Sequence, residues 1–441
     1  MTMNKDTMEY YQNPALLLQK LIRFNTTNPP GNEGECVLFL KNLLDAAGID
    51  TRLLESMPGR PNLIARIKGE GNSSPLLLYG HVDVVTVENQ RWKHPPFEGV
   101  IEDGYVWGRG ALDMKGAVAM MAASMLNLKQ ENITPRGDVI FAVLCDEEAL
   151  GRHGAGFIVE NHAGLLQDVQ YAIGEFGAFT MHVGEKKFYP IMIAEKQICT
   201  LKATFRGAGG HGSMKVDDSA MAKAGRFITA VQNKKLPVHI TEPLRQMAGS
   251  MARNLPFPQR AIVAGLLNRS LADIAVKILG KSGNTFYPLL RNTVNATMIH
   301  GGNKFNVIPS EVEICLDGRL LPGYGPESVL KELKTLAGED VILEVTEYSP
   351  GPQKIDMGLF KTLEGILREQ EPKGIPIPLL IPGVTDARYF SRLGIQTYGF
   401  TPMILPKDIH FNEMLHGANE RIPVAAVEMG TRAITSLLKK F

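Results

Sequence analysis

His81, Asp83, Asp113, Glu147, Glu148, Glu175 and His416 have the side-chain types of a hydrolytic metal centre, and several stand at places where a lone polar group is costly. Leu76-Leu77-Leu78-Tyr79 is a short apolar run that stops at Gly80, with His81 and Asp83 directly after it. An imidazole and a carboxylate at the end of a buried strand cost free energy unless something binds them. Asp146-Glu147-Glu148 closes the apolar run at 138–145, and Glu175 closes another at 169–174. Adjacent carboxylates repel one another; solvent makes that harmless, whereas a bound cation makes it favourable. Zinc takes His and carboxylate ligands, and a catalytic site keeps a position open for water. Two metals need a bridge, which a carboxylate can supply. Of His81, Asp113, Glu147, Glu148, Glu175 and His416, five would serve as ligands and the sixth would stay free. Each residue also has a plainer reading. His81 could be a hydrogen-bonded strand-end histidine, Asp113 a helix N-cap, and 146–148 a solvated acidic turn. What argues against coincidence is that three buried runs deliver acids or a His at the same end.

The elements that must position these groups read as α/β. Continuous apolar runs predict strands at 62–68, 75–80, 138–145 and 169–174, buried on both faces as in a parallel sheet. Amphipathic spacing predicts helices at 14–24, 35–47 and 117–128. In such sheets ligands collect outside the carboxyl ends of the strands. From about residue 197 the pattern changes. Strands at 199–206, 293–299, 311–318 and 341–347 and helices at 218–232 (capped by Asp217 or Asp218) and 326–336 give the order βαββαβ, once 240–290 is set aside as an insertion of short helices. That order is ferredoxin-like. The expected organisation is a catalytic domain of residues 1–196 and 349–441, a mostly parallel sheet flanked by helices. An α+β ferredoxin-like lid domain, 197–348, is inserted into it. The chain then returns with a helix at 357–370 and a strand near 395–400, with Asp386 and Arg388 between them. His416 stands in a loop before a final helix at 423–439. The glycines of 108–116 lack the GxxxxGK[ST] pattern of a phosphate loop, so a nucleotide site is not expected.

The bulk numbers narrow the class. A chain of 441 residues, 44% hydrophobic and 21% charged, suits a soluble globular protein of two domains. Its 47 basic and 46 acidic residues give a net charge of +1, which provides no reason to expect nucleic acid or a membrane as partner. Cys36, Cys145, Cys199 and Cys315 form no CxxC pair and read as reduced thiols. The first residues, MTMNKDTMEYYQN, lack the apolar region of a signal peptide, so a cytoplasmic location is expected.

In order along the chain, GHVDVV (80–85), GRGALDMKG (108–116), CDEEALG (145–151), GHGS (210–213), NVIP (306–309) and HGANE (416–420) resemble the signatures of the M20 metallopeptidase family. That family includes aminoacylase-1, acetylornithine deacetylase, succinyl-diaminopimelate desuccinylase and carboxypeptidase G2. RNTVNATMIHGGNKFNVIP (291–309) and TDARYF (385–390) look most like its carboxypeptidase S and N-acyl-amino-acid hydrolase branch.

The resemblance implies two divalent metal ions, zinc in the first place with cobalt or manganese as alternatives. Asp113 would bridge them, His81 and Glu175 would complete one site, and Glu148 and His416 the other. His410 is passed over for the last role because its surroundings do not carry the HGANE pattern. The resemblance also implies a cis peptide between Asp113 and Met114, and a homodimer formed through the lid. Glu147, adjacent to a ligand but free itself, would act as general base and then acid. Asp83 would orient His81, and His211 on the lid would stabilise the oxyanion. Arg319, Asn306 and Arg388 would bind substrate, an arginine suiting a free carboxylate. The implied reaction is hydrolysis of an amide next to a free carboxylate, in N-acyl-amino acids or short peptides. A catalytically silent metal-binding dimer module is the alternative.

Overall fold

A computed structural model describes residues 5–338, 340–352 and 354–441. Of the N-terminal stretch read above for a leader, residues 1–4 lie outside the described residues. The chain forms two compact units, one of residues 1–193, 355–379 and 385–441, the other of residues 194–354 and 380–384.

The first unit is organised around a nine-stranded sheet. Its strands include β1 (Asp50–Glu55), β2 (Pro61–Ile67), β3 (Leu76–His81), β4 (Val139–Leu144), β5 (Tyr171–Gly174) and β6 (Lys186–Glu195). The pairings β3–β4 and β3–β5 are parallel, while β1–β2 and β2–β4 are antiparallel. All six residues of β3 and of β4 are buried. Burying one leucine contributes roughly 1.5–3 kcal/mol, against about 1–2 kcal/mol for ordering its backbone. A run as short as Leu76–Tyr79 therefore suffices to hold the strand that carries His81.

Both faces of the sheet are covered. On one face the helix Lys115–Gln130, apolar almost all round, packs on β3 and against the helices Pro14–Ile22 and Val424–Lys440. Gly80 permits that approach, since a Cβ there would lie 2.9 Å from Met114 and Val118 side-chain atoms. On the other face Leu77, Tyr79, Ile140, Ala142 and Leu144 pack with Ile158, Val159, Leu166 and Phe390.

The second unit carries an antiparallel sheet of β7 (Gln197–Arg206), β8 (Thr293–His300), β9 (Glu311–Leu320) and β10 (Val341–Ser349). The spatial order is β8-β9-β7-β10, the ferredoxin-like arrangement. Helices Ala220–Asn233 and Pro326–Ala337 cover one face, around Leu201, Phe205, Phe227, Ile314 and Leu333. The first of these helices is capped by Ser219, whose Oγ accepts the Ala222 N–H at 3.2 Å, and not by Asp217 or Asp218. Asp218 instead pairs with Lys223 and Arg226. Residues 240–290 fold into the short helices Glu242–Asn254, Gln259–Gly265, Ala272–Leu279 and Lys281–Phe286.

The chain then adds β11 (Ile375–Ile381) and β12 (Gln396–Gly399) to the large sheet, whose order is β1-β2-β4-β3-β5-β12-β6-β11. β12 runs parallel to β5 and antiparallel to β6. The core of the sheet, β4-β3-β5-β12, is thus parallel, as its apolar runs lead one to expect. Among the described residues no helix is long and apolar enough to cross a membrane.

Candidate metal centre

The neighbouring parallel strands β4, β3 and β5 end at one edge of the sheet, and that edge carries the chemistry. His81 is the last residue of β3, Glu175 follows β5, and Glu147 and Glu148 lie in a one-turn 3-10 helix after β4. Asp146, in left-handed backbone at φ 73°, turns the chain out of β4 into that helix. Asp113 is brought in by the glycine-rich loop ahead of the helix Lys115–Gln130, and its peptide bond to Met114 is cis. His416 comes from a loop in the C-terminal part, also with positive φ, and its side chain is 54% exposed.

Two groups of three potential ligands result, each with its ligand atoms within 4.8 Å of one another: His81, Asp113 and Glu175, and Asp113, Glu148 and His416. They share Asp113, which faces a different histidine with each oxygen. Oδ1 lies 3.2 Å from His81 Nε2, and Oδ2 lies 3.2 Å from His416 Nε2. Glu175 Oε2 is 3.8 Å from His81 Nε2, and Glu148 Oε2 is 3.4 Å from His416 Nε2. Glu147 belongs to neither group, although its Oε2 is 4.0 Å from His81 Nε2.

The donor set fits a pair of cations. Glu148 Oε1 and Glu175 Oε1 are buried without a hydrogen-bond partner among the described residues. Such carboxylate oxygens are costly unless something positive meets them. Burial first, and the nearby Glu175 charge next, push the Glu147 carboxyl well above its usual range. Burial likewise raises Glu148 and Glu175. His416 is raised to about 10, chiefly by its contacts with Asp113 and Glu148. Burial works against the His81 cation, yet Asp113, Asp83 and Glu175 hold its pKa well above the ordinary imidazole value. Asp113 is lowered despite burial, because the two histidines stabilise its anion.

A buried polar frame fixes these groups, and most of it escapes sequence reasoning. The Asp83 main-chain carbonyl lies 3.0 Å from His81 Nδ1, nearer than the Asp83 carboxylate at 3.5 Å. That carboxylate mainly accepts the Glu147 and Glu148 N–H groups, at 3.2 and 3.1 Å, and the Asn28 amide at 2.9 Å. Asp146 accepts from Arg60 and from the His153 N–H, and Arg60 in turn donates to Glu33. Glu420, fully buried, accepts from the Leu112 and Asp113 N–H groups with Oε1 and from Gly110 N–H and Arg109 with Oε2. Arg109 also donates to the His416 carbonyl at 3.1 Å, and Gln90 donates to the same carbonyl at 2.8 Å. The Arg109–Glu420 pair therefore ties the Asp113 loop to the His416 loop. HGANE already contains Glu420, but nothing in its spacing marks a partner 311 residues away.

The remaining candidates are distributed as follows. Arg388 is buried; it donates to the Leu150 carbonyl and the Tyr389 hydroxyl, which braces the turn after Glu148, while its Nε has no partner among the described residues. Asp386, also buried, is raised by that burial. His211, Asn306 and Arg319 belong to the second unit. His211 pairs with Val307 in a two-stranded ribbon, the Gly212 N–H donates to the Asn306 carbonyl at 2.8 Å, and His211 Nδ1 lies 2.8 Å from Ser213 Oγ. The ribbon thus brings His211 and Asn306 together on an exposed surface. Arg319 is partly exposed and paired with Asp317 at 2.7 Å.

Residues 77–440 match the model of the family described as Peptidase family M20/M25/M40. Aminoacylase-1 of Sus scrofa is 26% identical, over 96% of this chain and 93% of its own. The N-fatty-acyl-amino acid synthase/hydrolase PM20D1 of Bos taurus is 29% identical, over 85% of this chain and 75% of its own. A probable carboxypeptidase S-like 2 of Dictyostelium discoideum is 27% identical over 82% of this chain and 71% of its own. Among solved structures, an M20 family metallo-carboxypeptidase from Sulfolobus solfataricus superposes with a TM-score of 0.66 at 18% identity, covering 97% of this chain and 98% of that one. A Bacillus subtilis protein described as a dinuclear metal binding peptidase from the M20 family superposes at 0.63 and 15% identity, covering 98% of both chains.

Proposed function

Because the chain belongs to peptidase family M20/M25/M40, and is thereby a hydrolase, we propose that it cleaves an amide bond next to a free carboxylate, in N-acyl-amino acids or short peptides. The observation that carries this reading is Asp113, whose two oxygens serve two ligand groups while Glu147, 4.0 Å from His81, belongs to neither. His81, Asp113 and Glu175 would hold one metal, and Asp113, Glu148 and His416 the other; zinc suits this donor set best, with cobalt and manganese as alternatives. When bound, such a pair polarises the amide carbonyl and lowers the pKa of water.

The protein's own groups do the rest. Glu147 accepts the proton of the attacking water and delivers it to the leaving nitrogen. Asp83 fixes both the His81 ring, through its carbonyl, and the 147–148 main chain, through its carboxylate. His211 is the reading's oxyanion donor. Arg319 and Asn306 are its groups for the substrate carboxylate and carbonyl. Arg388 comes after them, since one of its nitrogens is engaged by Leu150 and Tyr389. A homodimer through the second unit is part of the same reading. So is a reducing compartment, which the four free cysteines support. Relatives named for N-fatty-acyl-amino acids and for aminoacylase activity favour the N-acyl-amino acid over the peptide.

The test is amine release from a panel of N-acyl-amino acids and dipeptides by metal-loaded protein, beside Glu147→Gln. Turnover that falls about 10²–10⁴-fold in the variant, at unchanged metal content, is the expected result. A protein that holds two metals and turns over nothing in the panel would instead be a silent binding module.

A further inference from the structure

The net charge of +1 is unevenly divided. From residue 240 to 290 the chain has six basic residues (Arg245, Arg253, Arg260, Arg269, Lys277 and Lys281) and two acids, Glu242 and Asp273, so this stretch carries +4 and the remainder −3. Asp273 is already engaged by Lys235 and Arg291, both outside the stretch. The six basic side chains are exposed, and none has an acidic partner among the described residues; Arg253 and Arg260 donate only to Ser250 and to the Leu255 carbonyl.

The same stretch exposes large apolar side chains. The helix Ala272–Leu279 buries Ala272 and Ala275 and turns Leu271, Ile274 and Ile278 outward, 48%, 55% and 59% exposed. Spacings of three and four residues place these three in one stripe, and Lys277 borders it. Phe257, between Pro256 and Pro258 at the turn joining two of the short helices, is 83% exposed. A helix that buries its alanines and turns two isoleucines outward has no partner on that outer side among the described residues. Apolar residues bordered by unpaired Lys and Arg are the composition of an interfacial helix.

We propose that residues 240–290 form a docking surface for an anionic phospholipid membrane, with the Leu271/Ile274/Ile278 stripe and Phe257 entering the acyl boundary and the basic side chains meeting the headgroups. A nucleic acid would be met by stacking aromatic rings, not by an aliphatic stripe. A second copy meeting this surface with its own would bring +4 against +4. The inference stands on charge and exposure and does not depend on the hydrolase reading.

The experiment is flotation of the full chain with vesicles of phosphatidylcholine alone and of phosphatidylcholine with phosphatidylglycerol, at low and high salt. Expected is binding to the anionic vesicles at low salt, at least tenfold weaker at high salt and on phosphatidylcholine. Lys277→Glu with Lys281→Glu should weaken it at least tenfold, each lysine near a charged surface being worth roughly a fivefold change in binding. Ile274→Ser with Ile278→Ser should do the same while leaving circular dichroism and sedimentation unchanged. Absence of binding to anionic vesicles, or binding by either double variant equal to that of wild type, overturns the proposal. So does a wild type that sediments as a dimer and becomes a monomer in the isoleucine variant, since the stripe would then be covered by a second copy.

Discussion

The two halves of the candidate metal centre share one aspartate and are built in opposite ways. His81 and Glu175 stand at the ends of adjacent strands, and His81 is buried. Their positions follow from strand pairing and from the apolar packing beneath them. Glu148 and His416 stand in a short turn and a loop, and His416 is half exposed. Their positions follow from hydrogen bonds to buried polar groups. Asp83 holds the Glu148 N–H, while Arg109 and Gln90 hold the His416 carbonyl. A sheet edge therefore sets the backbone of its ligands and leaves only the His81 ring for the Asp83 carbonyl to orient, whereas a loop ligand needs a satisfied polar frame for its backbone as well.

The largest effect should come from the residue that belongs to both halves. Asp113→Ala is expected to abolish binding of both metals and to lower turnover to below roughly 10⁻⁴ of wild type, more than loss of general acid–base help alone. Metal analysis after desalting checks this; retention of one tightly held metal would show that the halves are independent. The comparison itself is tested by His81→Ala beside His416→Ala in metal-free protein. Removing the buried His81 leaves Asp113 and Glu175 without their positive neighbour, which should cost about 3–5 kcal/mol of stability. Removing the half-exposed His416 should cost no more than about 1 kcal/mol. Urea unfolding measures both, and equal losses would mean that the loop is as firmly built as the strand end.

The same contrast governs how much the sequence revealed. The strand-end half was legible because a buried strand must be a continuous apolar run, so the polar residue that ends it is conspicuous. In the loop half Glu148 was legible in the same way, as an acid closing the apolar run at 138–145, whereas His416 was assigned through HGANE, and of the frame only Asp83 was singled out. Arg109, Glu420, Asp146, Arg60 and Glu33 meet across long stretches of chain, and no periodicity links them. The missed strands fit this account. β11 reads Ile-Pro-Ile-Pro-Leu-Leu-Ile, and its prolines argue against a strand, but it lies at the edge of the sheet, where proline is tolerated. The helix at 220–233 was placed to within two residues, yet its cap was assigned to an aspartate. The helix begins at Ala220, so the cap position falls on Ser219, while Asp218, one residue outside it, pairs with Lys223 and Arg226.

A smaller effect separates the frame from the ligands. Glu420→Gln keeps an acceptor for the Leu112 and Asp113 N–H groups but removes the charge that faces Arg109. Metal affinity should fall about 10–100-fold, as for other groups that orient ligands from behind. The fall should appear on the His416 side as well as at Asp113, because Arg109 also holds the His416 carbonyl. Competition with a chelator for each metal in turn measures it. A loss confined to one metal would show that the Arg109–Glu420 pair does not couple the two loops.

The smallest effect is the pH dependence of the metal-free protein, and its sign is fixed. Glu147, Glu148 and Glu175 are raised from a usual value of 4.5 by burial, and His416 is raised from 6.5 to about 10 by Asp113 and Glu148. Each of these groups binds its proton more tightly folded than unfolded. Its contribution is fully present below the unfolded value and is lost as pH rises through the folded one. The acids and the histidine therefore act in the same direction, and metal-free protein should lose stability steadily as pH rises from about 4.5 toward 10. Asp113 opposes this only in acid, because its lowered pKa costs stability when pH falls through the folded value. Metal binding needs the same groups deprotonated, so loaded protein should gain stability over the lower part of that range as affinity grows. Thermal unfolding across pH, with and without metal, should give slopes of opposite sign near neutrality. Parallel slopes would mean that the carboxylates and histidines gathered at the sheet edge do not exchange their protons for metal.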